Sequence, residues 1–404
     1  MKNLSDFVKH GIDDTHATGR PGHFNRRDLL GGSVLLGASM LPARSAAQET
    51  KPSGAASTGE TALTIKSVYA KAREVLYPVC RVCPECDGVA CAGEMPGMGG
   101  VGSGMSFQNN YQALQKVRLN LRTLIDVSTG DRRPDTSTTI FGQKLSFPAL
   151  AAPIGRVAAE YGKGIDVVKY LDAVVGGCVD AGTAGAVGDS AAVPIEVMQA
   201  RCDMVVRYNG KCIYGIKPVP NKTILSRLPM IEASKAFMMT IDIDAGGRFG
   251  TPEFNSVEPK SVAELKELVR AAKVPLVIKG IMTPDEALKA AETGAAGIVV
   301  SNHGGRVLDH TPGTADVLPA IADKVKGKMT IFVDGCVRHG VDVIKYMALG
   351  ADAVLVGRHL VRAARGGGRE GVALFMRTMR DEMEMGMVMT GISTVSQISR
   401  KLLV

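Results

Sequence analysis

Tryptophan is absent from this chain of 404 residues, and aromatic residues make up only 4% of it. That argues against a surface built on aromatic stacking, whether for single-stranded nucleic acid or for sugars. Lys and Arg outnumber Asp and Glu by 48 to 40, but they are scattered and form no tract. A surplus of that size suits a bound phosphate or a carboxylate substrate as well as DNA, and no nucleic-acid module accompanies it. No stretch beyond position 48 is long and apolar enough to cross a bilayer. No Gly-x-Gly-x-x-Gly follows an early strand, which speaks against an open doubly wound sheet. What is present is a globular composition, 45% hydrophobic and 22% charged, with ample material for a core.

The amino terminus stands apart from the fold. Asn25-Arg26-Arg27-Asp28-Leu29-Leu30 precedes a small, mildly apolar run from Gly31 to Leu41, followed by Pro42 and by Ser45-Ala46-Ala47. Paired arginines, a short apolar run and small residues at a cleavage point resemble a twin-arginine export signal over residues 1–47. A membrane helix is the alternative, but the run is too short and too rich in Gly and Ser to span a bilayer. The expectation is a protein handled by the twin-arginine export machinery and delivered to the periplasm or beyond, soluble or membrane-peripheral. Residues 48–60 have the composition of a flexible linker.

Residues 61–120 form a Cys- and Gly-rich extension. Of eight cysteines, Cys80, Cys83, Cys86 and Cys91 are spaced Cys-x2-Cys-x2-Cys-x4-Cys. Such spacing can bring thiolates round a zinc ion or an iron–sulfur cluster, and an oxidising destination equally permits disulfides or free thiols. The expected role is a local structural device near the substrate entrance and not the redox centre. Cys178, Cys202, Cys212 and Cys336 are scattered and are expected to behave as small buried apolar residues. The run Gly97 to Gly104 is too glycine-rich for helix or strand.

From about residue 140 the chain repeats a short apolar run, a turn and a helical stretch. The runs expected as strands are Ala149–Pro153, Thr183–Val187, Ile213–Ile216, Met238–Ile243, Pro275–Lys279, Gly297–Ser301, Thr330–Asp334 and Ala353–Gly357. Helical periodicity lies between them, as at Ser261–Ala271, Thr283–Thr293, Val341–Leu349 and Glu370–Met385. Several runs are apolar on both faces, as strands covered by helices are. The pattern predicts an α/β fold, a closed (β/α)8 barrel over residues 121–404 with an amino-terminal extension.

Polar residues cluster just after these runs, on the face where such barrels carry their active sites. His303 lies between Asn302 and Gly304-Gly305, with Arg306 three positions on. That suits an exposed base beside an anion clamp. Lys279 ends a strand where its ammonium needs something anionic. Asp334-Gly335-Cys336-Val337-Arg338 and Gly357-Arg358 follow the last two strands, where backbone N–H groups and arginines take phosphate. These residues point to a phosphate-bearing ligand, a base and an arginine for substrate. A flavin-free isomerase or aldolase acting on a sugar phosphate, and a non-catalytic binding protein, are the rival readings.

The stretches Ser301-Asn302-His303-Gly304-Gly305-Arg306-Val307-Leu308-Asp309, Asp334 to Val343, Ala348-Leu349-Gly350-Ala351 and Val356-Gly357-Arg358 resemble the signatures of the FMN-dependent 2-hydroxy-acid oxidases and dehydrogenases. The similarity runs from about Leu121 to Leu403 and includes Ile125-Asp126-Val127-Ser128 and Thr139-Ile140-Phe141-Gly142. It implies FMN as cofactor and oxidation of a small 2-hydroxy acid to the 2-oxo acid, with an FMN-dependent reaction on a different substrate as the alternative. Electrons would pass on to oxygen, a quinone or a small carrier, and a tetramer would fit. By the same resemblance His303 is the base, Arg306 holds the substrate carboxylate and Arg248 is the second carboxylate-binding arginine. Lys279 faces the N1/C2-carbonyl side of the flavin, and Pro153-Ile154-Gly155 pass near N5. Thr240 and Ser301 add hydrogen bonds, while Asp334, Gly335, Arg338, Gly357 and Arg358 take the ribityl and phosphate end.

The departures bear on substrate. The family's third-strand Gln-Leu-Tyr corresponds here either to Cys212-Ile213-Tyr214, which nominates Tyr214, or to Gly215-Ile216-Lys217. The usual amino-terminal Tyr-Tyr is replaced by the Gly99-Gly100-Val101-Gly102 region, and the serine pair after the second strand by Gly188-Asp189.

Overall fold

Ten short strands form among the described residues, and burial explains why most lack the alternating pattern of a half-exposed sheet. They are β1 (Thr138–Ile140), β2 (Gln143–Leu145), β3 (Ala149–Ala151), β4 (Gly185–Gly188), β5 (Cys212–Ile216), β6 (Met238–Asp242), β7 (Leu276–Ile281), β8 (Gly297–Val300), β9 (Thr330–Val333) and β10 (Ala353–Val356). Every residue of β4, β5, β6, β8 and β10 is buried, so both faces are covered, by helices outside and by the lumen within. The computed structural model describes residues 62–122, 124, 133–162, 165–191, 193–248 and 256–404. The export signal and the linker expected from the sequence lie outside these residues.

Strands β3 to β10 make one parallel sheet in the order β3-β10-β9-β8-β7-β6-β5-β4. The Ala151 N–H donates to the carbonyl of Ala184, just ahead of β4, at 3.0 Å, so the first and last strands of that order meet and the barrel closes. Each of the eight strand runs expected from the sequence coincides with a barrel strand. β1 and β2 were not foreseen. They form an antiparallel hairpin whose two-residue turn, Phe141-Gly142, has φ of 49° and 80°. Positive φ at both positions is the turn that matches strand twist, but a bulky Phe in the first hides the signal. The Phe141 ring packs against Phe332 of β9 with centroids 6.2 Å apart.

The outer helices obey local rules. Ser261 caps Val262–Ala271 through a reciprocal bond with Glu264, and Thr283 caps Pro284–Glu292, which begins with proline. The last helical segment, Arg358–Thr390, breaks at Gly368, where φ is 57° and ψ −146°.

The extension packs on the barrel. Helix α1 (Ile65–Leu76) buries Val68, Ala72 and Leu76. A Cβ at Gly366 would stand 1.9 Å from the Val68 carbonyl oxygen, so only glycine allows this approach. Helix α2 (Met105–Lys116) meets Gly313 through Asn109 and Ala113. Residues Thr61–Val404 thus form one compact unit. No described helix is long and apolar enough to cross a membrane.

Candidate active site

The turn after β8 explains its own sequence. His303, Gly304 and Gly305 have φ of 56°, 63° and 77°, three successive left-handed residues. Histidine tolerates that region better than most side chains, and the next two positions need glycine. A Cβ at Gly304 would lie 2.5 Å from an Arg358 nitrogen, and one at Gly305 2.6 Å from the Phe107 nitrogen. The His303 N–H donates to Ser301 Oγ at 3.0 Å, which pins the turn. Asn302, buried at the base of the loop, accepts from Asn110 Nδ2 at 2.7 Å and donates to Thr311 Oγ1 at 3.0 Å.

The His303 ring is held by Asp244, whose Oδ1 lies 2.9 Å from Nδ1. Asp244 belongs to the 3-10 turn Ile243–Arg248 that follows β6. With Nδ1–H donating to a carboxylate, Nε2 is left unprotonated, the form a base requires. Burial lowers the His303 pKa below its usual value. Lys279 and Lys217 lower it further, while Asp244 pulls the other way. Asp244 itself stays low because His303 and Lys279 outweigh the cost of its burial.

A chain of polar groups of alternating sign runs along the rim. Lys217, directly after β5, donates to Asp242 Oδ2 at the end of β6 at 2.6 Å. Lys279 of β7 donates to Ser301 Oγ at 3.1 Å and lies 3.6 Å from Asp334 Oδ2. Ser301 Oγ donates to Asp334 Oδ1 at 2.7 Å. Burial alone would favour neutral Lys279, yet Asp242, Asp244 and Asp334 together push its pKa up, so the ammonium stays charged.

Above this rim opens a cavity continuous with solvent. Pro153, Ile154, Gly155, Lys279, His303, Gly335, Gly357 and Arg358 border it. Arg306 and Asp334 also border it. Thr240 and Ser301 lie beneath, among the buried polar residues. Thr240 Oγ1 is buried without a partner, beside Gly215, where a Cβ would meet Pro153 at 2.4 Å and Thr240 Oγ1 at 3.3 Å. Glycines at Gly155, Gly215, Gly335 and Gly357, an orphaned hydroxyl and a fixed ammonium fit a flat polar ring system such as a flavin.

Two expected residues are placed differently. Tyr214 is fully buried and does not border the cavity; its phenol faces Cys202 of the helix Ile195–Arg207. Residues alternate along a strand, so with Tyr214 turned outward Gly215 and Lys217 face inward, and Lys217 borders the cavity. The second alignment, Gly215-Ile216-Lys217, is the one consistent with the barrel. Arg338 does not border the cavity either; Glu85 takes its guanidinium, which also lies over the Tyr111 ring at 4.7 Å. Arg248 closes the 3-10 turn after β6, and its side chain lies outside the described part.

The extension supplies part of the cavity. Cys86 and Phe107 border it. Arg358 Nε donates to the Met98 carbonyl at 2.7 Å and its guanidinium lies 3.9 Å from the Phe107 ring centre. All eight cysteines are free, and buried Arg362 donates to Cys86 Sγ at 3.0 Å. Among the described residues no three His, Cys, Asp or Glu side chains converge to hold a metal ion.

Sequence reasoning missed Asp244, Lys217, Glu160 and Asp189 as parts of the site. Glu160, in helix α3 (Val157–Tyr161), pairs with Arg306 at 2.5 Å. Asp189 pairs with Arg201 at 2.6 Å, and burial raises its pKa against the pull of Arg201 and Arg227. Lys217 had a signal, the alternative alignment, and Asp189 had the Gly188-Asp189 departure; Asp244 and Glu160 depend on partners 59 and 146 positions away.

A closed eightfold barrel with a base, a charged buried lysine and a glycine-lined cavity at its carboxyl-terminal rim defines a flavin-dependent oxidoreductase of the hydroxy-acid type. The sequence profile described as FMN-dependent dehydrogenase matches residues 97–249 and 251–404, and the chain belongs to that family. It is 30% identical over 323 residues to a 2-hydroxyacid oxidase of Dictyostelium discoideum, covering 74% of this chain and 82% of the relative. A local stretch of 125 residues, 31% of this chain and 32% of the relative, is 50% identical to an L-lactate dehydrogenase of Xanthomonas campestris. Among solved structures, mandelate oxidase with (S)-2-phenylpropionate aligns with a TM-score of 0.68 at 25% identity, covering 85% of this chain and 98% of that one.

Proposed function

We propose that His303 is the base in the FMN-dependent oxidation of a 2-hydroxy acid to its 2-oxo acid. The observation that carries this is the Asp244–His303 contact, which leaves Nε2 free to take a proton in a cavity bordered by Lys279. FMN, when bound, supplies the acceptor for the two electrons the substrate gives up. Pro153 to Gly155, Lys279 and the Gly335 and Gly357–Arg358 end would hold it, with Thr240 and Ser301 beneath. His303 takes one of the two protons released, and its pKa, held below the usual value, keeps it ready to do so. The Lys279 ammonium, kept charged by three carboxylates, offsets negative charge that gathers beside it. The test is anaerobic addition of a panel of 2-hydroxy acids to the FMN-loaded protein, watching the visible flavin spectrum. Bleaching by one or more acids is expected; a spectrum unchanged by every acid overturns the reading.

Two further parts belong to the same proposal. The twin-arginine-like segment at residues 1–47 directs export, so electrons pass to oxygen, a quinone or a small carrier outside the cytoplasm. The Cys80–Cys91 segment serves as a structural wall of the cavity, supported by the place of Cys86 on its border and the Arg362 contact. Fractionation of cells expressing the full chain tests the address: a mature protein shortened near Ala47 in the periplasm supports it, and a full-length cytoplasmic protein does not.

A further inference from the structure

The guanidinium of the His-Gly-Gly-Arg motif is held from two sides. Arg306 Nη2 donates to Glu160 Oε2 at 2.5 Å, and Nη1 donates to the carbonyls of Gly97 and Gly99 at 2.5 and 3.4 Å. The carbonyl side is backbone packed on backbone: a Cβ at Gly99 would collide with the Cys91 carbonyl oxygen, and the Gly99 N–H donates to the Glu94 carbonyl at 3.3 Å. The carboxylate side is one side chain of helix α3, where the Glu160 N–H donates to the Arg156 carbonyl at 2.9 Å. Arg306 and Glu160 both border the cavity, and their side chains are 12% and 11% exposed.

These bonds do not use up the guanidinium. Of its five N–H groups, the two on Nη1 go to the glycine carbonyls and one on Nη2 goes to Glu160. The Nε–H and the second Nη2 N–H have no partner among the described residues, which is enough for a two-pronged grip on a carboxylate. An arginine stem has many rotamers, and a fork that is already ordered loses less freedom when it binds. Glu160 thus acts in two opposed ways on an acid arriving at Arg306. Its contact orients the fork, and its charge, poorly screened at this burial, repels the newcomer.

We propose that Glu160 is the positioning residue of Arg306: it fixes the plane of the guanidinium so that the two remaining donors grip the substrate's carboxylate. This rests on the reading of the protein as a 2-hydroxy-acid oxidoreductase in which Arg306 meets that carboxylate. Recognition of the acid then draws on three separate parts of the chain, the loop after β8, the helix after β3 and the glycine run of the extension. The glycine carbonyls alone leave the fork free to turn about Nη1, and Glu160 supplies the second point that stops it.

The test uses the FMN-loaded full chain and two unreactive probes, oxalate and pyruvate, titrated against the visible flavin spectrum. Glu160→Gln removes the charge and keeps an oxygen for Nη2, whereas Glu160→Met removes both at nearly the same length. Neither variant carries the charge, so the ratio of their probe affinities isolates the orienting contact. Glu160→Gln is expected to bind both probes roughly 10-fold to 100-fold more tightly than Glu160→Met, the worth of one hydrogen bond to a charged group. With Arg306→Lys in the background, which leaves no planar fork to orient, the ratio should shrink below about 3-fold, on the same scale. Flavin content checks the folding, and Glu160→Ala supplies the comparison where Glu160→Met loses its flavin. Equal affinity in the presence and absence of the acceptor, or a ratio that survives Arg306→Lys, overturns the assignment. Loss of flavin from both Glu160→Met and Glu160→Ala also overturns it, because a positioning residue leaves the cofactor bound; so does a parent that ignores both probes. Probe binding needs no turnover. A full ratio in a protein whose flavin no hydroxy acid bleaches would leave the positioning role standing and defeat the function, and bleaching without the ratio would do the opposite.

Discussion

Asp244 and His303 come from the ends of different barrel strands, β6 and β8, and meet at 2.9 Å between Oδ1 and Nδ1. Strand β7, with Lys279, lies between them in the sheet. The contact decides which ring nitrogen carries the proton, and the lysine decides how costly a second proton is. Base and counter-charge are therefore set by three adjacent strands.

His303→Ala should keep the fold and the bound flavin, because the turn is also held by Ser301 and Asn302. The rate of anaerobic flavin reduction should fall roughly 10²-fold or more, the usual scale for removing a general base. Stopped-flow reduction by the best acid of the panel measures it.

The acid limb of kcat/KM should lie below pH 6.5, since burial with Lys279 and Lys217 lowers the His303 pKa from 6.5. Activity should persist as pH falls through that value and disappear only below it. Lys279→Met removes one lowering charge and should move the limb to higher pH. Asp244→Asn removes the opposing pull, moving the limb lower still, while the lost tautomer control slows reduction by roughly 10²-fold or more. Rate profiles from pH 4 to 9 (about five units, centred on the ordinary histidine value) separate the two.

Arg358→Ala should lose FMN more readily than Arg338→Ala. Arg358 borders the cavity, whereas Arg338 is turned to Glu85 and Tyr111. Flavin retained after gel filtration measures the difference. Equal retention in both variants, or greater loss from Arg338→Ala, would place the phosphate elsewhere.

Replacing Cys83 and Cys86 with Ser should lower thermal stability and apparent substrate affinity, while flavin reduction at saturating substrate survives. Arg362 then loses the sulfur it donates to, and the cavity loses part of its border. If the flavin is still reduced but electrons no longer pass onward, and the parent shows a cluster spectrum that bleaches with substrate, the cysteines are a relay.

The barrel was legible because its evidence is local. Strands covered on both faces leave unbroken apolar runs, and the left-handed turn at His303 demands the Gly304-Gly305 pair that marks the motif. Gly357-Arg358 was legible for the same reason as part of the rim, and both residues border the cavity. Arg306 was legible as a residue and not in its surroundings, since Glu160 lies 146 positions away. Between Tyr214 and Lys217 the sequence left a two-way choice of register, and only the direction of β5 side chains in the closed barrel decides it. Asp242 ends β6 and pairs with Lys217, while Asp244, two positions on in the 3-10 turn, pairs with His303.

Asp309 accepts from the Ser103 backbone N–H, the Ser103 hydroxyl and the Ser106 backbone N–H, and the Val101 N–H donates to the Gly305 carbonyl. Ser103 and Asp309 are 206 positions apart, yet these bonds make the glycine run and the histidine loop one piece of architecture. Insertions, deletions or shuffled loops in either partner are then constrained by the other. A chimaera that imports only residues 301–314 from another barrel would orphan the donors of residues 101–106, so recombination at this rim succeeds in pairs of segments or not at all.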